Sequence, residues 1–418
     1  MIIATLFSLS VRLTVLVILS IILFVISTFS LRKKLEDASR NQREEYQRHF
    51  KGFKEFIESY KVSKQYTSYL SLKHELFDIP NYKWSKAVYK NDVLEELSYK
   101  LNLFIREFGK GIVIGFGAYL VWRKELSVGT LVAFNSYMVW IYDAFRMLFM
   151  AIISVIASKP NWDKYVDVYS LQSENASGGP LIYFENLKLD SVSFSYDSKQ
   201  VLKDINLTLK KGEKIAIVAN SGNGKSTLVS LFNAFLLPSS GNVFLNDTPI
   251  QLYSFDSLRR KIITVSSKDY LFDTSVRNNL TLFEDFSEEE ICRVFDICEC
   301  QFVYEMENGL DTVIGEEGSM LSDGQKQRIT IARALLRKPE VLILDEATSG
   351  IDSETEEKIL NKIMEEVETV VIISHRLSTI KKAEKIYVMH EGKIEDYGTH
   401  EELISKNSRY LQIISSQV

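Results

Sequence analysis

The chain has 418 residues, of which 46% are hydrophobic and 25% charged, and its net charge is −5. This length supplies enough core for two or three domains, which excludes a small disulfide-stapled fold. The composition also excludes a wholly disordered chain and a polybasic nucleic-acid-binding protein, so we expect no nucleic-acid partner. These averages combine two unlike regions, because residues 1–31 carry a single charge, Arg12, whereas charged residues are frequent from Arg32 onwards.

The first apolar segment, residues 13–31, has close to the ~20 uncharged residues that cross the hydrocarbon core of a bilayer. Arg32, Lys33 and Lys34 follow it, which predicts that this end faces the cytoplasm. A cleaved signal peptide carries its basic residues before the apolar run, so a retained membrane helix is the better interpretation. Residues 32–100 are predicted to form helices that extend into the cytosol.

Two further uncharged stretches predict a helical hairpin whose short polar turn faces outside. They begin at Gly111 and Ser127, and full crossings would occupy about 101–122 and 127–156.

These longer helices would carry charge at membrane depth. Arg106, Lys110, Asp143 and Arg146 either line a polar translocation path, or form i,i+3 pairs near the inner rim, Glu107 with Lys110 and Asp143 with Arg146. The sequence favours neither interpretation.

A change of composition predicts a domain boundary after the membrane segments. The stretch QSENASGGP is small, polar and turn-prone, which indicates a linker at 159–182 between a membrane domain at 1–158 and a second domain at 183–418. Three cysteines, Cys292, Cys298 and Cys300, alternate with apolar residues at helical spacing, which favours packed thiols over a zinc site.

The second domain begins with a phosphate-binding pattern. The strand-like KIAIV runs into ANSGNGKST and an apolar helix, so glycine backbone amides can approach a polyphosphate. Lys225 is predicted to reach the outer phosphates, and the Ser226 hydroxyl to bind magnesium. The predicted nucleotide-binding residues of the loop are Ala219, Asn220, Ser221, Gly222, Asn223, Gly224, Lys225, Ser226 and Thr227.

Further elements with ATPase chemistry follow in order. The apolar strand VLILD ends at Asp345, a candidate magnesium ligand, and Glu346 can polarise an attacking water. LSDGQ opens a helix whose amino end can stabilise anionic oxygens, and His375 follows the apolar stretch TVVIIS. Tyr196 offers a face on which adenine can stack.

This ordered set closely resembles the nucleotide-binding domain of ABC transporters of the exporter type. ANSGNGKST resembles the Walker A loop, LSDGQ the signature, VLILDE the Walker B strand, SGID the D-loop and ISHR the switch histidine. The implied fold is multidomain: an all-α transmembrane domain with about three membrane helices, plus an α/β P-loop NTPase domain of ABC type. The first three membrane helices of the family are expected to be missing, so the chain resembles an N-terminally truncated half-transporter.

The resemblance implies a mechanism and partners. ATP and Mg²⁺ are the implied cofactors, with Glu346, His375 and Lys225 as catalytic residues and Ser322, Gly324 and Gln325 of the signature contacting nucleotide across a homo- or heterodimer. A separately encoded chain is expected to complete the membrane domain. The implied location is the plasma membrane, multi-pass, with the ATPase domain in the cytoplasm. The cargo is unidentified, and family analogy favours a peptide.

Three residues depart from the family pattern, and two of them, Ser267 and Asp323, suggest reduced but measurable ATPase activity. Ala219 replaces the first glycine of the Walker A loop, which is tolerable if its φ is negative. Ser267 stands where a glutamine usually binds magnesium, and Asp323, in place of a signature glycine, either approaches the partner site or caps its own helix. The competing interpretation is a non-transporting, membrane-tethered remnant or regulatory subunit. A soluble ABC ATPase is disfavoured, because such proteins lack a membrane hairpin.

Overall fold

The computed structural model describes residues 2–171, 174, 178–220 and 222–415. They group into two compact units, Met1–Leu171 and Gln172–Val418. The first unit is helical and the second combines helices with two sheets.

The helices of the first unit are α1 (Ile2–Leu9), α2 (Val11–Glu58), α3 (Tyr60–Gln65), α4 (Tyr69–Lys73), α5 (Ile79–Trp122) and α6 (Val128–Tyr169). A π-helical turn, His74–Asp78, joins α4 to α5. Two of these helices begin at serine caps. The Ser10 hydroxyl accepts from the Leu13 amide at the start of α2, and the Ser127 hydroxyl accepts from the Thr130 amide at the start of α6.

The membrane segments predicted from the sequence lie inside helices that are longer than the segments themselves. By length and mean hydropathy, α2 is the one helix among the described residues that could cross a membrane. The crossings predicted at 101–122 and 127–156 fall within α5 and α6 and stay predictions.

The prediction that the linker begins at residue 159 is wrong. Helix α6 continues to Tyr169, where the Tyr165 and Tyr169 rings stack with their centroids 5.5 Å apart. Pro160 is a local signal that can end a helix, but α6 continues through it, and residues 161–169 contain neither glycine nor proline.

Apolar side chains from four helices form the core of the first unit. Leu13 and Val17 of α2 are buried with Val113 of α5 and with Phe134 and Met138 of α6.

The lone charge of the N-terminal segment is paired at one end of this core. The Arg12 guanidinium lies 2.6 Å from a carboxylate oxygen of Glu125, in the turn between α5 and α6. The start of α2 and the hairpin turn therefore lie at the same end of the unit.

The charges of α5 and α6 pair within their own helices. Glu107 lies 3.1 Å from the Lys110 ammonium and 2.9 Å from Arg106, while Arg146 lies 3.6 Å from Asp143. The Glu107–Lys110 and Asp143–Arg146 pairs have the i,i+3 spacing of the ion-pair interpretation.

The strands of the second unit are β1 (Asn186–Tyr196), β2 (Lys199–Lys210), β3 (Lys214–Val218), β4 (Ser240–Leu245), β5 (Thr248–Pro249), β6 (Ile262–Ser266), β7 (Val341–Asp345), β8 (Thr369–Ile373), β9 (Lys385–His390) and β10 (Lys393–Gly398). Its helices are α7 (Lys225–Phe232), α8 (Phe255–Lys261), α9 (Val276–Thr281), α10 (Glu288–Ile297), α11 (Asp323–Leu336), α12 (Ser353–Glu366), α13 (Leu377–Ile380), α14 (His400–Lys406) and α15 (Ser408–Ser415).

A six-stranded sheet in the order β10-β9-β3-β8-β7-β6 organises this unit, beside an antiparallel sheet β2-β1-β4-β5. Strands β9, β3, β8, β7 and β6 run parallel. Their side chains alternate between two cores: Ile215 and Ile217 of β3 pack with β1 and β2, whereas Ala216 and Val218 pack with α11 and α12. Because the strands are parallel, the segments that follow β3, β7 and β8 meet at one edge of the sheet.

Two of the three cysteines belong to the core. Cys298 and Cys300 are fully buried, and burial raises the pKa of the Cys300 thiol to about 12, whereas Cys292 is exposed. The buried thiols are therefore packing groups that stay protonated.

We expect Gly52→Ala to lower the melting temperature of the chain. Gly52 of α2 is buried, and an added Cβ would overlap the carbonyl oxygen of Leu76 in the π-helical turn, so that backbone would have to move. Gly111→Ala is the matched control, because α5 has open space there and alanine is favoured over glycine within a helix by up to ~1 kcal/mol. Thermal unfolding in detergent micelles measures both, and a Gly52→Ala chain as stable as Gly111→Ala would contradict the close approach.

Candidate nucleotide-binding site

The predicted phosphate-binding loop joins β3 to α7 through two glycines with positive φ. Gly222 has φ +81° and Gly224 has φ +91°, and a Cβ on Gly224 would lie 2.8 Å from a methyl of Leu202. Both features favour glycine. Ser221 lies outside the described residues. Thr227 is buried in the first turn of α7.

The Asn223 side chain ties this loop to a distant hairpin. Its Nδ2 donates to the Asn220 carbonyl at 2.9 Å, and its Oδ1 accepts from the Glu391 amide at 2.7 Å. Glu391 lies in the turn between β9 and β10. Sequence reasoning missed this link, because 168 residues separate the partners.

Ala219 fits the first position of the loop. It is buried, and its backbone is outside the positive-φ region, so the alanine introduces no strain there. Its carbonyl accepts a hydrogen bond of 2.8 Å from the Lys225 ammonium. An alanine at this position is therefore accommodated without backbone strain.

Lys225 is held by internal acceptors at the centre of the site. The residue is 8% exposed, and its Nζ lies 2.8 Å from the Ala219 oxygen and 3.0 Å from His375 Nε2. Burial lowers the pKa of Lys225, while the charges of Glu346 and Asp345 act in the opposite direction.

His375 Nε2 lies between a cation and an anion. It is 3.0 Å from Lys225 Nζ and 3.1 Å from Glu346 Oε1. A bare Nε2 accepts from Lys225, whereas a protonated Nε2 donates to Glu346, so the tautomer selects one contact. An anionic group that recruits Lys225 would leave His375 free to donate.

Glu346 has a left-handed backbone conformation at the end of β7. Its φ is +53°, an uncommon value for a residue other than glycine, and its amide donates to the Ile373 carbonyl at 2.9 Å. The neighbouring strand β8 thus holds Glu346 in this conformation and directs its carboxylate towards His375.

Asp345 and Ser226 form the predicted metal-binding pair. Burial raises the pKa of Asp345, and the nearby Ser226 hydroxyl lowers it by a smaller amount, which indicates that the two side chains are neighbours. The Ser267 amide donates to the Asp345 carbonyl at 3.3 Å, which places Ser267 beside them. Hydroxyl and carboxylate oxygens suit Mg²⁺. Among the described residues no three His, Cys, Asp or Glu side chains form a metal cluster, so a cation here would need oxygens from nucleotide and water.

The signature residues form the amino-terminal cap of α11 and are not part of the site around Lys225 and Asp345. The Ser322 hydroxyl accepts from the Gln325 amide at 3.3 Å, and Gln325 Oε1 accepts from the Ser322 amide at 2.9 Å, which forms a capping box on α11. Gly324 packs against the backbone of Gly350. Between described residues, no hydrogen bond or ion pair joins Ser322, Gly324 or Gln325 to the phosphate-binding loop.

The suggestion that Asp323 caps its own helix is wrong. Ser322 occupies the cap position with extended backbone, and Asp323 is the first helical residue with an exposed side chain. A negative charge in the first turn of a helix still interacts favourably with the helix dipole.

Tyr196 lies at the end of β1 with half of its surface exposed. Its ring packs edge-to-face on Phe194, with centroids 4.9 Å apart. This exposure is compatible with the predicted stacking of adenine on Tyr196.

We expect Asp345→Asn to stabilise the ligand-free protein and to remove its stabilisation by MgATP. The raised pKa means that the folded state holds the Asp345 proton more tightly than the unfolded chain, so the ionised carboxylate lowers stability above that pKa. The gain should therefore be present at neutral pH and disappear on acidification, as wild-type Asp345 becomes protonated. Melting temperatures measured across pH, with and without MgATP, test this.

Asp285→Asn is the control, because that carboxylate is exposed. A neutral-pH melting temperature of Asp345→Asn at or below that of the control would contradict the proposed cost of ionised Asp345.

Comparisons with known proteins agree with the two-unit organisation. The ABC transporter transmembrane region matches residues 1–145, and the ABC transporter family matches residues 202–349. A solved structure of a bacterial Atm1-family ABC exporter with ATP bound has a TM-score of 0.89 at 24% identity, and the match covers 97% of this chain and 72% of that one.

Curated relatives include the ATP-dependent lipid A-core flippase of Alcanivorax borkumensis, 42% identical over 234 residues. That match covers 54% of this chain and 40% of the flippase. The ABC-type transporter fsqE of Aspergillus fumigatus is 40% identical over 243 residues, or 55% of this chain and 19% of fsqE. The chain thus spans about two fifths, or less, of the relatives it matches.

Both the predicted family and the predicted fold class are confirmed. A helical transmembrane domain precedes an α/β nucleotide-binding domain that carries the phosphate-binding loop, and the two family matches together span more than two thirds of the chain. The chain belongs to the ABC transporters and has the organisation of an exporter-type half-transporter.

Proposed function

We propose that this protein binds and hydrolyses ATP as one subunit of a membrane exporter. The observation that carries the proposal is the cluster at the carboxyl edge of the six-stranded sheet, where His375 contacts both Lys225 and Glu346. The half-buried Asp345 carboxylate and the Ser226 hydroxyl lie in the same site. A non-transporting remnant is disfavoured, because the side chains that the proposed hydrolysis requires are all present in this site.

The chain's own residues supply three steps of hydrolysis in this proposal. Lys225 exchanges the Ala219 carbonyl and His375 for phosphate oxygens, and the positive-φ glycines present backbone amides to the same phosphates. Glu346 then orients the attacking water and accepts its proton. His375, released from Lys225, donates a hydrogen bond to the outermost phosphate. Mg²⁺, held through Ser226 and Asp345 with Ser267 nearby, would neutralise charge on the phosphates.

The active assembly is proposed to be a dimer. The signature residues Ser322, Gly324 and Gln325 cap α11 without contacting the described phosphate-binding residues of the same chain. A second ABC subunit would bring its own signature to this ATP. The expectation that a separately encoded chain completes the membrane domain stays a prediction.

The proposal also covers the location of the protein in the cell. Membership of the family and the apolar α2 indicate a membrane protein. We propose a multi-pass protein of the plasma membrane with a cytoplasmic ATPase domain, because Arg32, Lys33 and Lys34 follow the apolar part of α2. The Arg12–Glu125 ion pair would then mark the outer end.

A lipid is the proposed cargo. The flippases among the relatives are named for lipid A-core, which favours a lipid over the peptide that family analogy suggested. Apolar side chains of the first unit that remain exposed, such as Ile22 and Ile26 of α2, are compatible with acyl chains.

We expect Glu346→Gln to abolish hydrolysis and to preserve ATP binding. Glutamine keeps the shape of the side chain but cannot accept the proton of the attacking water, so the rate of phosphate release should fall about a hundredfold or more. Glu289→Gln, in the exposed first turn of α10, is the control. A Glu346→Gln protein that binds ATP and hydrolyses it at the wild-type rate would refute the assigned role.

Transport can be tested in proteoliposomes that contain the full chain together with any subunit that co-purifies with it from native membranes. We expect ATP to drive a fluorescent phospholipid between the leaflets, and the Glu346→Gln variant to leave it in place. A fluorescent peptide is the comparison probe, and leaflet quenching and peptide uptake are the two readouts. ATP-dependent peptide uptake without lipid movement would reject the lipid proposal and restore the peptide.

A further inference from the structure

The D-loop, Ser349–Asp352, is held on one side by α11, the helix that begins at the signature. Gln327 of α11 is 7% exposed, and its Nε2 donates to the Ser349 hydroxyl at 3.1 Å. Its Oε1 accepts from the Gly350 amide at 2.7 Å. One buried amide side chain thus fixes both the start and the middle of the loop.

The residue after the switch histidine anchors the same loop from the other side. Arg376 Nη2 donates to the Ser349 carbonyl at 2.9 Å, and Nη1 donates to the Ile351 carbonyl at 2.9 Å. The planar guanidinium presents its donors to the two carbonyls in a rigid fork, whereas an ammonium group is a rotatable point charge that does not fix their geometry. His375 is therefore covalently adjacent to a side chain that is fixed on the D-loop.

Glu356 of α12 holds Arg376 in place. Its side chain is 3% exposed, and it forms an ion pair with the Arg376 guanidinium. Its Oε1 also accepts from the hydroxyls of Thr348, at 2.6 Å, and Thr379, at 3.0 Å. These partners fix the position of the buried Glu356 carboxylate. Removal of one partner would leave part of its charge uncompensated in the interior.

We propose that Arg376 and Glu356 are positioning residues, which hold His375 against Glu346 and Lys225 by fixing the switch segment on the D-loop. In the ligand-free site His375 Nε2 lies 3.0 Å from Lys225 Nζ and 3.1 Å from Glu346 Oε1, so the placement of the ring decides whether it can exchange Lys225 for a phosphate oxygen while it stays beside Glu346. The Arg376 amide donates to the Ser374 hydroxyl at 3.0 Å, so the segment on both sides of His375 is tied down. This role rests on the proposed ATPase function and adds the residues that orient its histidine.

The test compares Arg376→Lys and Glu356→Gln, singly and combined, in the full chain. Both variants keep the size of the side chain, but lysine loses the second carbonyl contact and glutamine loses the charge. Arg293→Lys and Glu366→Gln are matched controls, because that ion pair also involves α12 but is 38% and 37% exposed. The measurements are kcat, KM, the dissociation constant of a non-hydrolysable ATP analogue, the melting temperature and the hydrogen exchange of residues 347–352.

We expect Arg376→Lys to lower kcat about ten- to a hundredfold, since small displacements of catalytic groups have effects of this size. KM and analogue binding should stay close to the wild type, because Lys225 and the loop amides are untouched. The Gly350 amide should exchange faster, and the Arg376→Lys, Glu356→Gln double variant should lose little more than either single one.

Three results would overturn the inference: unchanged kcat, unchanged exchange at 347–352, or an equal effect of the control pair. A parallel loss of analogue binding and melting temperature would also overturn it, because it would indicate general unfolding. If the wild-type chain does not hydrolyse ATP, the proposed function fails first, and the exchange measurement alone then decides whether Arg376 holds the D-loop.

Discussion

The contact of His375 with both Lys225 and Glu346 depends on the order of the central strands. Strand β8 lies between β3 and β7, so the residue that follows β8 lies between the residues that follow its neighbours. Lys225 comes after β3, Glu346 after β7 and His375 after β8. Parallel pairing puts all three segments at one edge. A different strand order would separate the histidine from one of its partners.

Backbone conformation at this edge of the sheet determines the direction of the Lys225 and Glu346 side chains. Gly222 and Gly224 turn the chain into α7 with positive φ, and Lys225 folds back to the Ala219 carbonyl. Glu346 adopts a positive φ without being glycine, at a cost of order 1 kcal/mol that the surrounding structure must offset. Its amide bond to Ile373 of β8 is part of that support. Strand pairing thus fixes both the position and the direction of the glutamate.

Sequence reasoning identified the groups of the site that local patterns specify. Lys225 and Glu346 follow short apolar strands, Asp345 ends one, and the carboxyl ends of parallel strands lie at the same edge of a sheet. Contacts between distant segments were not predictable. Nothing local to Asn223 indicates the Glu391 amide, and nothing local to Arg376 indicates that its guanidinium reaches the Ser349 carbonyl. Such contacts depend on how loops pack after the sheet has formed.

The boundaries of the helices also differ in how well the local sequence predicts them. The capped starts of α2 and α6 are local features that side-chain hydroxyls define. The end of α6 was placed too early, because a change from apolar to polar composition does not end a helix. A polar face is ordinary for a helix that leaves an apolar environment.

Burial in the ligand-free site disfavours the charged forms of Lys225 and Asp345, which are the forms that bind phosphate and metal. Burial lowers the pKa of Lys225 and raises that of Asp345, so each group is disfavoured in the charged form in which it would bind phosphate or metal. The charges of Glu346 and Asp345 offset only part of this effect at Lys225. A polyphosphate with its cation supplies the missing opposite charges to both groups at once. Binding therefore stabilises the folded domain, and the same unfavourable burial that weakens the empty site makes it selective for a ligand with that charge pattern.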